Sequence, residues 1–232
     1  MNKLLPLMVI FLSLSGCQTT QTMFPPAHKV MITDDTLVFD AIITGETVLE
    51  AIRIARESDT PVKTLRITSP GGEIASGIEL GYFVKENNLD VEVSQLCFSA
   101  CANYVITAAN KVTIKKDALV GWHGGARQSD DLWKQSVNPK DHEELLKYIN
   151  RLRAKETIFF SRIDVDPNIT VYGQTSLKRC QLSETTDGWY YSLADLNTMG
   201  LKNVEVQGEL AASAEYMGET VRSCLMPSID QS

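Results

Sequence analysis

Three short segments carry the residue types that do chemistry. In Cys97-Phe98-Ser99-Ala100-Cys101 a hydroxyl lies midway between two thiols, where an apolar run begins. Gly121-Trp122-His123-Gly124-Gly125 sets an imidazole in a glycine-rich stretch. Ile67-Thr68-Ser69-Pro70-Gly71-Gly72 reads as a turn whose backbone can approach other groups without a Cβ in the way. A serine hydroxyl is a weak nucleophile until a base takes its proton, and histidine is the usual base near neutral pH. Acyl transfer also needs donors for the developing oxyanion, and the backbone N–H groups of Gly72 and Ala100 are the candidates. Each residue also has a plainer reading. Ser99 fits a helix N-cap, His123 a loop histidine with a local hydrogen bond, and Gly71 and Gly72 a simple turn. His28 and His142 have no motif around them and read as solvated.

The elements that must position these residues alternate along the chain. Apolar, β-branched runs predict strands over 36–43, 62–68, 91–96, 112–114 and 118–121. Helical spacing predicts a helix over 46–57 with Val48, Leu49, Ile52 and Ala55 on one face, and another over 74–85 with Ile74, Ile78, Leu80, Tyr82 and Phe83. The stretch 100–109 is apolar nearly all round, as a buried helix would be. After an irregular stretch at 130–139, residues 140–161 read as a long amphipathic helix with Leu145, Leu146, Ile149, Leu152, Ile158 and Phe159 on its apolar side. A strand near 189–191, a helix over 192–199 and a strand over 203–206 follow, and the structure beyond about 208 stays open. Strand–helix alternation at this interval implies an α/β fold of repeated βαβ units with a largely parallel sheet.

The first residues set the expected compartment. Lys3, an apolar run over 4–14 and Leu14-Ser15-Gly16-Cys17 follow one another. The run is too short for a permanent membrane span, and the order resembles a bacterial lipobox. It implies a signal peptide over 1–16 and a Cys17 that carries the lipid (diacylglycerol and palmitate). Gln18, where an Asp would signal retention, resembles sorting to the outer membrane, facing the periplasm. Residues 17–33 then read as a tether, polar and Pro-containing, ahead of a domain over 34–208 and a tail over 209–232. The formal net charge is −7 with no basic run, which argues against nucleic acid and against anionic lipid surfaces. Membrane contact would come from acyl chains. In an oxidising compartment Cys97, Cys101, Cys180 and Cys224 suggest two disulfides. Cys97–Cys101 with Cys180–Cys224 is the favoured pairing of the three possible. A Cys97–Cys101 bridge would staple the strand end to the first helical turn around Ser99, and two buried thiols are the alternative. Zinc is the rival use of these thiols, but no second ligand pair has suitable spacing. Neither a metal nor a cofactor is expected.

The SPGG turn, the Ser-Ala-Cys segment and the later His, in that order and spacing, resemble the Clp protease family within the ClpP/crotonase superfamily, over about residues 36–206. The likeness is strongest to exported Clp-like proteins with a C-x-S-A-C segment. It implies a Ser99–His123 centre, and a carboxylate after the long helix and before a short strand. There the sequence reads Ser183-Glu184-Thr185-Thr186-Asp187-Gly188. An ungapped match favours Glu184, which departs from the family's usual Asp. Asp187 is equally suited by chemistry, and a dyad without an acid stays open. The long helix falls where Clp-like proteases place a handle between rings, implying a homo-oligomer; a helix lying on its own sheet is the alternative. The implied activity is a serine peptidase or acyl hydrolase acting on peptides or unfolded segments. Without an ATP pool in the periplasm it would be ATP-independent. A catalytically inactive Clp-like lipoprotein serving as scaffold or peptide-binding module is the second reading. A crotonase-type acyl-CoA enzyme ranks below both, because acyl-CoA is cytosolic and a Ser–His pair suits hydrolysis better.

Overall fold

The computed structural model describes residues 28–175 and 186–228. Its centre is a mixed α/β body with a mostly parallel sheet. Strands β1 (Lys29–Thr33), β2 (Thr36–Asp40), β3 (Thr64–Ser69), β4 (Asp90–Phe98), β5 (Val112–Ile114), β6 (Leu119–Gly121) and β8 (Val204–Val206) form one seven-stranded sheet in the order β1-β2-β3-β4-β5-β8, with β6 also on β4. Only the β1–β2 pair is antiparallel. The nine residues of β4 host β5 on Val91–Val93 and β6 on Leu96–Phe98. This length brings the end of β6, and with it His123, level with the end of β4, and with it Ser99.

Helices α1 (Gly45–Glu57) and α2 (Ile74–Glu86) are the crossovers of two successive βαβ units. Thr44 and Thr47 close a capping box at the start of α1, satisfying backbone donors that the first turn cannot. Its buried face is Thr47, Val48 and Ala51, with Ile52 and Ala55 packed beside them. Leu49, expected on that face, is 70% exposed, because it lies one position round the helix from Val48. The apolar stretch after Ser99 is buried over 100–108, as expected, with Ala109 half-buried at its end. Over Cys101–Ile106 it winds as a π-helix, a form that is rare and often found at functional sites. Gly77 and Gly81 let α2 approach it closely, since a Cβ on either would lie under 3 Å from Tyr104.

Two elements occupy the stretch expected to be irregular: the short helix α3 (Asp130–Lys134), capped by the Ser129 hydroxyl, and a 3-10 turn at Pro139–Asp141. The long helix is α4 (His142–Ile163). It buries Ile149, Leu152, Phe159, Phe160 and Ile163, with Leu145 and Leu146 half-buried, but Ile158 is 53% exposed. Phe159 packs edge-on to both Tyr82 of α2 and Tyr104, so α4 covers its own body. Helix α5 (Tyr172–Thr175) follows.

The ends of the described chain are more ordered than their sequence suggests. Lys29–Thr33, inside the segment read as a tether, is β1 at the sheet edge, paired from Lys29↔Asp40 to Thr33↔Thr36. The region read as a tail supplies β9 (Ser213–Tyr216) and β10 (Glu219–Leu225), which join β7 (Gly188–Tyr190) in a three-stranded sheet. Helix α6 (Leu193–Thr198) lies between β7 and β8. The β9–β10 hairpin covers an apolar cluster of Leu96, Phe98, Leu119 and Ala214. Cys97 belongs instead to the main core, as the two-residue alternation of a strand dictates, and Ala100 joins that core from the start of the helix.

Candidate active site

Ser99 sits at the strand-to-helix turn between β4 and the buried helix, with φ +57°. A non-glycine residue in this region is uncommon, and the strain it carries is held only where the surroundings over-determine it. They do so here. The Ser99 N–H donates to Gly121 O (2.9 Å) and its carbonyl accepts from the Asn103 N–H (2.8 Å). The expected Cys97–Cys101 disulfide closes across it, with both cysteines fully buried and their Cα atoms 5.2 Å apart. Gly71, at φ +94°, packs against the turn so tightly that a Cβ there would lie 2.7 Å from Ser99 Cβ and 2.6 Å from Phe98 O. The Ser99 side chain is half-buried. A serine held this way has the geometry of a nucleophile elbow.

The SPGG turn is held from below by buried Ser69, whose Oγ accepts from the Gly71 N–H (3.1 Å). Ile43 bridges it: the Ile43 N–H donates to Gly71 O and the Glu73 N–H donates to Ile43 O. Gly72 lies between these bonds, exposed, and its N–H is donated to no described residue. The same holds for the N–H of Ala100, which opens the helix and has no earlier helical carbonyl to bond. Among the described residues, then, neither of the two expected oxyanion donors has a partner; Ala100 adjoins Ser99 in the chain, and Gly72 follows Gly71, which packs on Ser99.

His123 follows β6. Trp122 and Trp189 exchange backbone hydrogen bonds of 2.8 Å, which fixes the chain just before the residue. Its ring is exposed and stacks on Phe98, with centroids 5.4 Å apart and planes 25° from parallel. Among the described residues the ring makes no hydrogen bond with Ser99 Oγ. The fold thus brings the two residues to adjacent strand ends without pairing them. Loss of hydration against the surrounding protein pulls its pKa below the ordinary histidine value, opposed by the charge of Asp187.

Asp187 is the described acid whose charge reaches His123. It is pinned to β10 by two bonds, its N–H donating to Arg222 O and its Oδ2 accepting from the Arg222 N–H, both 2.8 Å. Glu184, Cys17 and Cys180 lie outside the described residues. Cys224 is disulfide-bonded. His28 pairs with Glu50 at 2.7 Å, and His142 bonds Lys134 O at 3.1 Å, so neither is merely solvated.

Several residues around the site carried no motif in the sequence. Asn103 Nδ2 donates to Gly124 O (2.8 Å) and Gln174 Nε2 donates to His123 O (3.0 Å), so both hold the His123 loop. Glu156 of α4, fully buried, accepts from the Tyr104 hydroxyl (2.7 Å) and the Ala126 N–H (3.3 Å) and faces Arg127 at 3.4 Å. Burial pushes the Glu156 carboxyl up, against the opposing pull of that hydroxyl and of Arg127. Glu156 stands on the 3-4 spaced stripe of Ile149, Leu152, Phe159 and Ile163, a visible sequence signal of a buried carboxylate. A cavity of about 610 Å³ at the end of α4, lined by Arg127, Phe160, Asp164 and Met199 among others, touches neither Ser99 nor His123. Among the described residues no three metal-ligating side chains cluster.

No family model matches the chain, and no curated relative is found. Solved structures similar to it include ClpP1 from Listeria monocytogenes, at 17% identity and a TM-score of 0.41, covering 75% of this chain and 92% of that one. A point mutant of ClpP1 from the same organism matches at 20% identity, TM-score 0.35, over 57% of this chain and 78% of the mutant. An enoyl-CoA hydratase from Thermoplasma volcanium GSS1 matches at 10% identity, TM-score 0.32, over 40% and 50%.

Proposed function

We propose that the protein is an envelope-anchored, ATP-independent serine peptidase or acyl hydrolase of the Clp-like type, with Ser99 as nucleophile and His123 as base. The observation that carries this reading is the Ser99 turn: a half-buried serine at φ +57°, pressed by Gly71, with the N–H groups of Ala100 and of Gly72, next along from Gly71, bonded to no described residue. In the proposed reaction His123 takes the Ser99 proton as Oγ attacks the substrate carbonyl carbon. The two N–H groups hold the oxyanion, each worth roughly 2.7–4 kcal/mol. His123 then gives its proton to the leaving amine or alcohol. Water, activated by the same imidazole, releases the acyl group and restores the hydroxyl. Asp187 is the acid that favours the imidazolium formed in these steps. Catalytic hydrogen bonds are often long in a free enzyme and tighten with substrate. In this reading the His123 ring leaves Phe98 to reach the Ser99 hydroxyl. In this reading Cys17 carries the anchor, the substrates are short or unfolded peptides, and exposed Tyr148 and Ile158 on α4 are available for homo-oligomer contacts.

The second reading, a non-catalytic scaffold or peptide-binding module, is favoured by the stack of His123 on Phe98. Treatment with a fluorophosphonate probe followed by peptide mass mapping separates the two. The hydrolase reading expects one adduct, on Ser99, absent from Ser99→Ala. A folded protein that takes up no probe at neutral pH leaves the scaffold. Incorporation of an alkynyl palmitate that disappears in Cys17→Ala tests the anchor.

A further inference from the structure

Asparagine is out of place in the run Cys101-Ala102-Asn103-Tyr104-Val105-Ile106. A buried amide costs stability unless its polar atoms are used, and Asn is a poor residue for a helix interior. Asn103 is 1% exposed. Its backbone N–H donates to Ser99 O (2.8 Å) and its side-chain Nδ2 donates to Gly124 O (2.8 Å). One residue therefore touches both the turn that carries the hydroxyl and the loop that carries the imidazole. Its Oδ1 is buried and has no partner among the described residues. The amide is kept here for its donor, at the cost of an unsatisfied acceptor. Gly124, at φ +137°, meets it with its carbonyl, so the peptide bond between Gly124 and Gly125, directly after His123, is fixed as a result.

We infer that Asn103 is a positioning residue: its amide clamps the His123 loop to the nucleophile helix, so that the imidazole swings on a fixed hinge beside Ser99. The inference rests on the hydrolase reading for its catalytic meaning, but the clamp itself is independent of activity. Gln174 and Glu156 grip the same loop from outside, at His123 O and the Ala126 N–H. Of these three residues only Asn103 also bonds Ser99, whose other backbone bond goes to Gly121 O.

The test compares Asn103→Leu, close in volume but without the donor, with Thr107→Val. Thr107 Oγ1 donates to Asn103 O (2.6 Å) one turn on, so its loss removes a buried hydrogen bond from the same helix without touching the loop. Two readouts are taken: the rate of fluorophosphonate labelling at saturating probe, and the ring-proton shifts of His123, assigned by loss of its signals in His123→Gln. The shifts report the stack on Phe98 whether or not the protein is an enzyme. Asn103→Leu is expected to label about ten- to a hundredfold more slowly, as misplaced catalytic groups do. Its His123 shifts should move toward those of an unstructured histidine, while Thr107→Val retains both. Should the Leu variant not fold, Asn103→Ser, whose hydroxyl stops short of Gly124, takes its place. Unchanged His123 shifts in the Asn103 variant overturn the clamp. Equal losses in Thr107→Val also overturn it, as general loosening of the helix. A wild type that never labels sinks the hydrolase reading, and the shift comparison still decides the clamp.

Discussion

Around Ser99 almost every restraint is covalent or made by backbone. The disulfide spans it, Gly121 and Asn103 hold its N–H and C=O, and Gly71 presses on its Cβ. Around His123 the restraints are side-chain amides on neighbouring carbonyls and a ring stack, and the imidazole itself is exposed. The difference teaches how the two halves of such a centre can be built. A strained nucleophile turn must be fixed when the chain folds, whereas a base only has to reach the hydroxyl when substrate arrives. Changes on the Ser99 side should therefore be felt in stability, and changes on the His123 side in rate.

The largest effect expected is kinetic. His123→Gln should slow labelling of Ser99 by about 10²–10⁴-fold, the usual worth of general base catalysis, and shift the unfolding midpoint little. A large loss of stability with it would erase the contrast. On the other side, Gly71→Ala puts a Cβ 2.6 Å from Phe98 O at a φ of +94°. Strain and overlap together should cost about 2–4 kcal/mol in denaturant unfolding. An Ala variant as stable as wild type would show that the Ser99 turn is not gripped as described.

Replacing both Cys97 and Cys101 by Ala should cost about 2 kcal/mol, since the loop closed by a four-residue separation is short. Labelling should slow as well, because the turn loses a restraint; unaltered stability and labelling would reduce the bridge to an ornament. The smallest effect concerns pH. In the proposed reaction the base works as neutral imidazole, so labelling should rise with pH, with its midpoint below the ordinary histidine value, and level off above it. Asp187 favours the cation, so Asp187→Asn should move that midpoint lower still. An upward move would mean that the carboxylate does not act on His123.

Much of this is legible in the sequence. The strand–helix alternation, the buried run after Ser99 and the Cys97–Cys101 bridge follow from apolar periodicity and residue spacing. The parallel sheet follows from them. Expectation and structure part where one position on a helix decides exposure, as at Leu49. The tether and tail differ for another reason. Lys29–Thr33 and Ser213–Leu225 are short and half-polar, and they become strands only because β2, β7 and the cluster at Phe98 offer edges and apolar surface. Tertiary context overrides local propensity in such segments. At the site, Ser99, His123, Gly72 and Ala100 announce themselves by residue type. The left-handed φ of Ser99 does not, because nothing in a serine codes for it; the bridge and the pressing glycine impose it. Asn103 and Glu156 carry a readable signal, a polar residue on an apolar stripe. What each binds depends on a loop distant in sequence.

The most direct test of the account is a crystal structure of the protein with a phosphonate on Ser99. The account predicts the phosphonyl oxygen between the N–H groups of Gly72 and Ala100, with the Ser99 turn unmoved. It also predicts that the His123 ring has left Phe98 and stands about 2.6–3.2 Å from Ser99 Oγ or the adduct's leaving-side oxygen. An adduct with His123 still stacked on Phe98, or with its oxygen turned away from both donors, would contradict it.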